Sequence, residues 1–137
     1  MSRTGADGAS GLGEGAQPLV VAVALDTDER VDPRWGRAER VALVKVAQGL
    51  VSDWDVCEVG WDVAHDEGSE RAHHARVARF VKQHAVNVVV AHHMGGDMRA
   101  MLERMGVEVH LGAAGEARRA VLEAVGSALT GGGVPDR

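Results

Sequence analysis

Seven consecutive apolar residues, Leu19-Val20-Val21-Ala22-Val23-Ala24-Leu25, end abruptly at Asp26-Thr27-Asp28. A run of that length with no polar interruption suits a strand covered on both faces, at the centre of a sheet sandwiched between helices. Everything else in the chain has to be arranged around such a strand. Residues 41–46 read as a second strand, and residues 54–61, which carry Asp55 and Glu58, as a third strand near an edge.

The pattern then changes to helical spacing. From about Ser69 to His84, the residues Val77, Phe80, Val81 and His84 share one face, with His73 and His74 on the inward side of the first turns. Arg71, Ala72, Ala75, Arg79 and Lys82 fall opposite. Residues 86–91 form another buried strand. A helix over 97–105 aligns Met98, Met101, Leu102 and Met105, and Gly106 is suited to end it. A short strand at 107–110 and a helix at 116–129, with Val121, Val125 and Ala128 inward, complete the series.

The predicted order is β-β-β-α-β-α-β-α. Three opening strands make an antiparallel meander, and the later alternation requires parallel strands with right-handed crossovers. That is the element order of a ribonuclease H-like α/β fold: a five-stranded mixed sheet, strand order 3-2-1-4-5, with three helices. The domain spans 18–129. Residues 1–17, rich in glycine, and residues 130–137 read as disordered tails, since such composition buries too little surface to offset ordering entropy.

Composition narrows the function. The 137 residues suffice for one core, and the formal charge of -5 argues against nucleic acid as a partner. The single cysteine, Cys57, rules out an internal disulfide and a cluster held by four cysteines of one chain. No apolar run spans a membrane, and the N-terminus has Arg3 but no apolar stretch of a secretory signal, so the expected location is cytoplasmic.

Five of the seven histidines fall where strands end or helices begin: His65, His73, His74, His92 and His93. If the second strand is antiparallel, the first, third and fourth strands end at the same rim. Asp26, His65, His73 and His92 then converge in the crevice where open α/β sheets bind ligands. Imidazole is a common ligand for transition metals. Adjacent strand residues point to opposite faces, so His92 and His93 both ligate only if the strand has already ended. For any one histidine the plainer reading is that it caps a strand or faces water. His84 and His110 read as structural or exposed.

Two further segments belong to the same rim. Met94-Gly95-Gly96-Asp97 joins the fourth strand to its helix, and the glycines Gly95 and Gly96 let backbone amides turn toward an anion at the helix N-terminus. Arg34-Trp35-Gly36-Arg37 lies between strands one and two. Gly36 permits a tight turn, and Arg37 offers a planar fork of donors to an anionic ligand, or else pairs with Glu39 at the surface. The methionine stripe reads as core, and Cys57 as a buried, inert thiol.

These segments together resemble a known family. Leu19 to Asp26, followed by Val31-Asp32-Pro33-Arg34-Trp35-Gly36-Arg37-Ala38, is similar to the opening strand and aromatic-Gly-Arg-Ala motif of the nitrogenase iron-molybdenum cofactor biosynthesis family. Its strand, glycine turn, helix and short strand resemble residues 86–91, Met94-Gly95-Gly96 and residues 102–111. Members include cofactor carriers and the C-terminal domain of the cofactor-precursor synthase. The resemblance covers residues 19–127. It implies a non-enzymatic carrier of an iron-sulfur or iron-molybdenum-type cluster, served by cofactor-donor and acceptor proteins, with Arg37, Gly95 and Gly96 lining the site. One cysteine per chain also leaves room for a site shared across a homodimer. The chain departs from the family at His92-His93, where relatives carry small residues. The extra histidines favour a single transition metal ion over a preassembled cluster.

Two other readings compete. A metal-free regulatory or interaction module needs only the fold. A metal-dependent nuclease needs several carboxylates together; strand one has none before Asp26 and strand four has none, which leaves Asp26, Asp28 and Asp97 open.

Overall fold

The computed structural model describes residues 18–64 and 68–131. Five strands form one sheet: β1 (Leu19–Leu25), β2 (Arg40–Ala47), β3 (Leu50–Glu58), β4 (Val88–Val90) and β5 (Glu108–His110). Their order is β3-β2-β1-β4-β5, as the alternation of elements predicts. β1 pairs antiparallel with β2 and parallel with β4; β2–β3 is antiparallel and β4–β5 parallel. The C-terminal ends of β1, β3, β4 and β5 therefore share one rim.

Four helices connect or cover the strands: α1 (Trp61–Ala64), α2 (Glu70–Gln83), α3 (Gly96–Arg104) and α4 (Ala117–Gly131). The three longer ones are those read from the periodicity. α2 starts where Ser69 Oγ accepts a bond from the Ala72 amide at 3.0 Å, which satisfies one otherwise unpaired donor. α4 runs to Gly131, two residues beyond the expected end of the domain. The tail at 1–17 and the residues after 131 lie outside the described residues.

The sheet divides the core into two layers. Val21, Val23 and Leu25 of β1 point to the α4 side, with Ala42, Val44, Val46, Val88 and Val90. Ala22 and Ala24 point the other way, to α2 and α3. The small side chains on that second face leave room for two large buried ones, Trp35 and Trp61. The indole rings pack edge to face with centroids 5.3 Å apart, and Phe80 joins at 5.4 Å from Trp61. Three of the four aromatic rings in the chain are thus gathered in one layer.

Trp61 corrects the sequence reading. Strand three was expected to reach it, but β3 stops at Glu58, and Gly60, at φ +64°, turns the chain into α1. The alternation of residues 54–61 mimicked a strand because Trp61 is apolar at the expected parity; its burial comes from the tryptophan layer instead. The methionine stripe of α3 also divides: Met98 and Leu102 are buried, Met101 is half-buried, and Met105 is 37% exposed beyond the helix end.

Candidate functional site

A cleft of about 340 Å³ opens at the rim where β1 and β4 end. This lies within the usual range for a small-ligand site. It has two walls and a floor.

The first wall is segment 34–37, built by the loop that follows β1. Asp26 Oδ1 accepts bonds from the amides of Asp28 (2.8 Å) and Arg30 (3.0 Å), which folds the chain back so that Val31 bridges Leu25. Arg40 donates to the Asp26 carbonyl at 2.6 Å and pairs with Glu29 at 3.1 Å. Asp32 Oδ1 then accepts from the Arg34 amide at 2.9 Å. Residues Trp35–Arg37 form a single 3-10 turn, closed by the Arg37 amide donating to the Arg34 carbonyl at 3.2 Å. The Arg37 guanidinium is exposed and has no hydrogen bond or ion pair among the described residues, so the expected pairing with Glu39 does not form.

The second wall is segment 93–96. β4 ends at Val90, and the backbone of His93 bridges that of Arg34, which ties the two walls together at one end. Gly95 is the N-cap of α3 at φ -64°, ψ 153°, without a side-chain cap bond. Neither Gly95 nor Gly96 has the positive φ that favours glycine, and a Cβ at either would meet nothing within 4 Å. Glycine here leaves backbone bare rather than relieving strain.

The floor is Trp35, Met94, Met98 and His73. The Trp35 Nε1 is buried with no hydrogen-bond partner. His73 is only 3% exposed. Its Nε2 lies 2.7 Å from the Gly36 carbonyl, its Nδ1 lies 2.8 Å from Arg76 Nη1, and its ring stands edge-on to Trp61 at 6.3 Å. α2 also contributes Glu70 and His74, which face each other at 3.7 Å.

The structure therefore brings Arg37, Gly95, Gly96, His73 and His93 to one cleft. His92 and His93 lie beyond the end of β4 and face different sides. His93 faces the cleft, whereas His92 places Nδ1 3.1 Å from the Ala113 carbonyl, toward the β5–α4 loop. Asp26 does not line the cleft; it shapes the loop that forms the first wall. His65 lies outside the described residues. Arg34, His74 and Asp97, which the sequence reading placed near the rim without assigning them to the ligand set, also line the cleft, as does Glu70, which it did not single out. The i, i+3 pair of arginines and the His73-His74 doublet were the signals available for two of them.

The formal charges of the cleft balance, with Arg34 and Arg37 against Glu70 and Asp97. No group of three or more His, Cys, Asp or Glu residues is placed to hold a metal ion among the described residues. Of the carboxylates that a two-metal nuclease would use, Asp97 lines the cleft and Asp26 does not. What the cleft offers an anionic cluster is a pair of guanidinium groups, the uncapped first turn of a nine-residue helix, and the imidazoles of exposed His93 and of half-buried His74, which faces Glu70. Cys57 is elsewhere, beside Phe80 and His84. Burial, assisted by the Asp55 carboxylate, pushes its thiol pKa upward, which disfavours the thiolate that would bind metal.

An open α/β sheet of ribonuclease H-like order, with a cleft of charged walls and largely apolar floor where its central parallel strands end, defines the class. Within it, the chain belongs to the dinitrogenase iron-molybdenum cofactor family, which it matches over residues 17–128. Solved structures share the fold. The protein PH0822 superposes with a TM-score of 0.65 at 19% identity, over 80% of this chain and 90% of that one. The apo form of the orange protein from Desulfovibrio gigas gives 0.61 at 21%, over 85% and 91%. A candidate dinitrogenase from Methanocaldococcus jannaschii gives 0.59 at 12%, over 81% and 90%. No curated protein sequence matches the chain. None of the described helices is long and apolar enough to cross a membrane.

Proposed function

We propose that this protein is a cytoplasmic, non-enzymatic carrier that takes up an iron-sulfur or iron-molybdenum-type cluster in the rim cleft and passes it on. One observation carries the reading. In a member of an iron-molybdenum cofactor family, segment 34–37 and segment 93–96 face each other across a single cleft, joined by the Arg34–His93 bridge. Arg37 meets the negative charge of the cluster, the bare amides at Gly95 and Gly96 approach it closely, and His93 ligates an exposed metal. A cluster with only one imidazole ligand is held loosely enough to be handed over. Hand-over calls for a donor protein and an acceptor protein that reach the open rim.

The two guanidinium groups beside the imidazole favour an anionic cluster over a lone divalent ion, and Glu70 and Asp97 offset part of that preference. The test is anaerobic reconstitution with iron and sulfide, with and without molybdate, followed by absorption spectra and metal analysis. The expected result is a coloured protein whose metal moves to an apo-acceptor. Folded protein that retains no iron, sulfide or molybdenum after desalting refutes the proposal.

A further inference from the structure

His73 is the one buried polar side chain of the described core, and its two ring nitrogens face different partners. Arg76 has only donors, so at 2.8 Å the Nδ1 of His73 must be the acceptor. The ring proton then sits on Nε2, which donates to the Gly36 carbonyl at 2.7 Å. Arginine does not give up its proton at accessible pH, so the guanidinium fixes the tautomer. The edge-on contact with Trp61 fixes the ring plane. Gly36 is the middle residue of the turn that carries Trp35 into the floor and Arg37 into the wall.

We infer that His73 is a positioning residue for the Arg37 wall and not a ligand of the cargo. The only lone pair left on its ring points at a guanidinium, so ligation would require the ring to leave both partners. A metal-binding histidine instead keeps one nitrogen open while the other donates outward. His92 and His93, both exposed, are not tied down in this way. The bond from His73 spans 37 residues of sequence and links α2 to the turn. α2 thereby holds the wall at the height of the cleft. The inference rests on the carrier reading for its purpose, but its geometry can be tested without cargo.

The experiment has two arms. In the first, long-range nitrogen–proton NMR of the cargo-free protein reads the tautomer of His73. The neutral Nε2–H form is expected, and an Nδ1–H or doubly protonated ring at neutral pH overturns the inference. The second arm compares His73→Gln with His73→Ala. The glutamine amide can still donate to the Gly36 carbonyl and accept from Arg76, but it lacks the imidazole. After reconstitution with iron and sulfide, His73→Ala should lose roughly tenfold in cluster retention, and His73→Gln should stay within about threefold of the parent. Equal loss in both variants makes His73 a ligand, and no loss in His73→Ala removes its role; either result overturns the inference. If His73→Ala does not fold, Arg76→Leu replaces it. The backbone amide signals of Gly36 and Arg37 should then shift in Arg76→Leu and remain near their parent positions in His73→Gln. If the parent protein takes up no cluster, the carrier reading fails, while the tautomer and the amide shifts still decide the place of His73.

Discussion

The two walls of the cleft are built on opposite plans. Segment 34–37 is braced on every side: by the Asp26 turn, by Asp32 on the Arg34 amide, and by His73 on the Gly36 carbonyl. Segment 93–96 is bare. It has two glycines with open space beside them and a helix start without a side-chain cap. The bracing holds the backbone that carries Arg37 at the cleft, while its exposed guanidinium still loses rotamer freedom when it binds. Close approach needs a backbone with nothing in front of it. The cleft puts these two features on different walls and joins them by one backbone bridge.

Five substitutions test that division, in descending order of expected effect. Arg37→Ala, on the braced wall, should weaken retention of a reconstituted iron-sulfur cluster by more than about tenfold, or about 1.4 kcal/mol. The loss should be greater than for a bare divalent ion such as cobalt, measured by titration. Equal losses for the two cargoes would mean that the guanidinium does not act as an anion clamp. Next, His93→Ala should cost about tenfold in cluster retention and His92→Ala no more than about threefold, because only His93 faces the cleft. The opposite ranking would move the metal contact to the β5–α4 side of the rim.

Gly96→Ala sharpens the comparison by separating stability from binding. Alanine is the better helix former by about 1 kcal/mol at interior positions, so thermal unfolding should stay level or rise. Cluster retention should still fall several-fold as the methyl group intrudes on the bare wall, roughly the scale of a lost hydrogen bond. A variant that binds as well as the parent would show that the open space has no use. The smallest effect is expected at Gly36→Ala. Its Cβ would stand 3.6 Å from His73 Nε2 and 3.8 Å from the Met98 methyl, ordinary contact distances, and the backbone is not left-handed there. Retention within about twofold of the parent is expected, less than the worth of one net hydrogen bond. A large loss would mean that the turn must flex to load its cargo.

The fold was legible because its signals are local. The unbroken run Leu19–Leu25, the 3.6-residue spacing of Val77 and Val81, and the regular alternation of elements led to the 3-2-1-4-5 sheet without any tertiary information. The site was legible only in outline. Arg37, Gly95 and Gly96 could be placed on the rim by their position after strands. Strand alternation does not account for the divergence of His92 and His93, because β4 ends at Val90; which of them meets the cleft depends on how the chain leaves the strand. The role of Asp26 was within reach, because Asp-Thr-Asp-Glu-Arg is a turn-forming cluster and an aspartate there bonds its own backbone. That of His73 was not. Its inward direction followed from helical spacing, but its partner lies on another element, and no local pattern records a bond between α2 and the turn before β2. Trp61 failed for the same reason: its burial belongs to a layer assembled from three distant segments.

The gathering of indoles under the cleft has a practical corollary. Trp35 forms part of its floor and Trp61 touches Trp35, whereas Trp54 packs on the opposite face of the sheet beneath Arg118, whose guanidinium carbon lies 4.9 Å above the ring. The chain has no tyrosine. Iron-sulfur chromophores absorb where indole emits, so loading should dim the first two emitters by energy transfer far more than the third. Under the proposed function, tryptophan emission would serve as a dye-free gauge of occupancy, with Trp54 as the less affected ring.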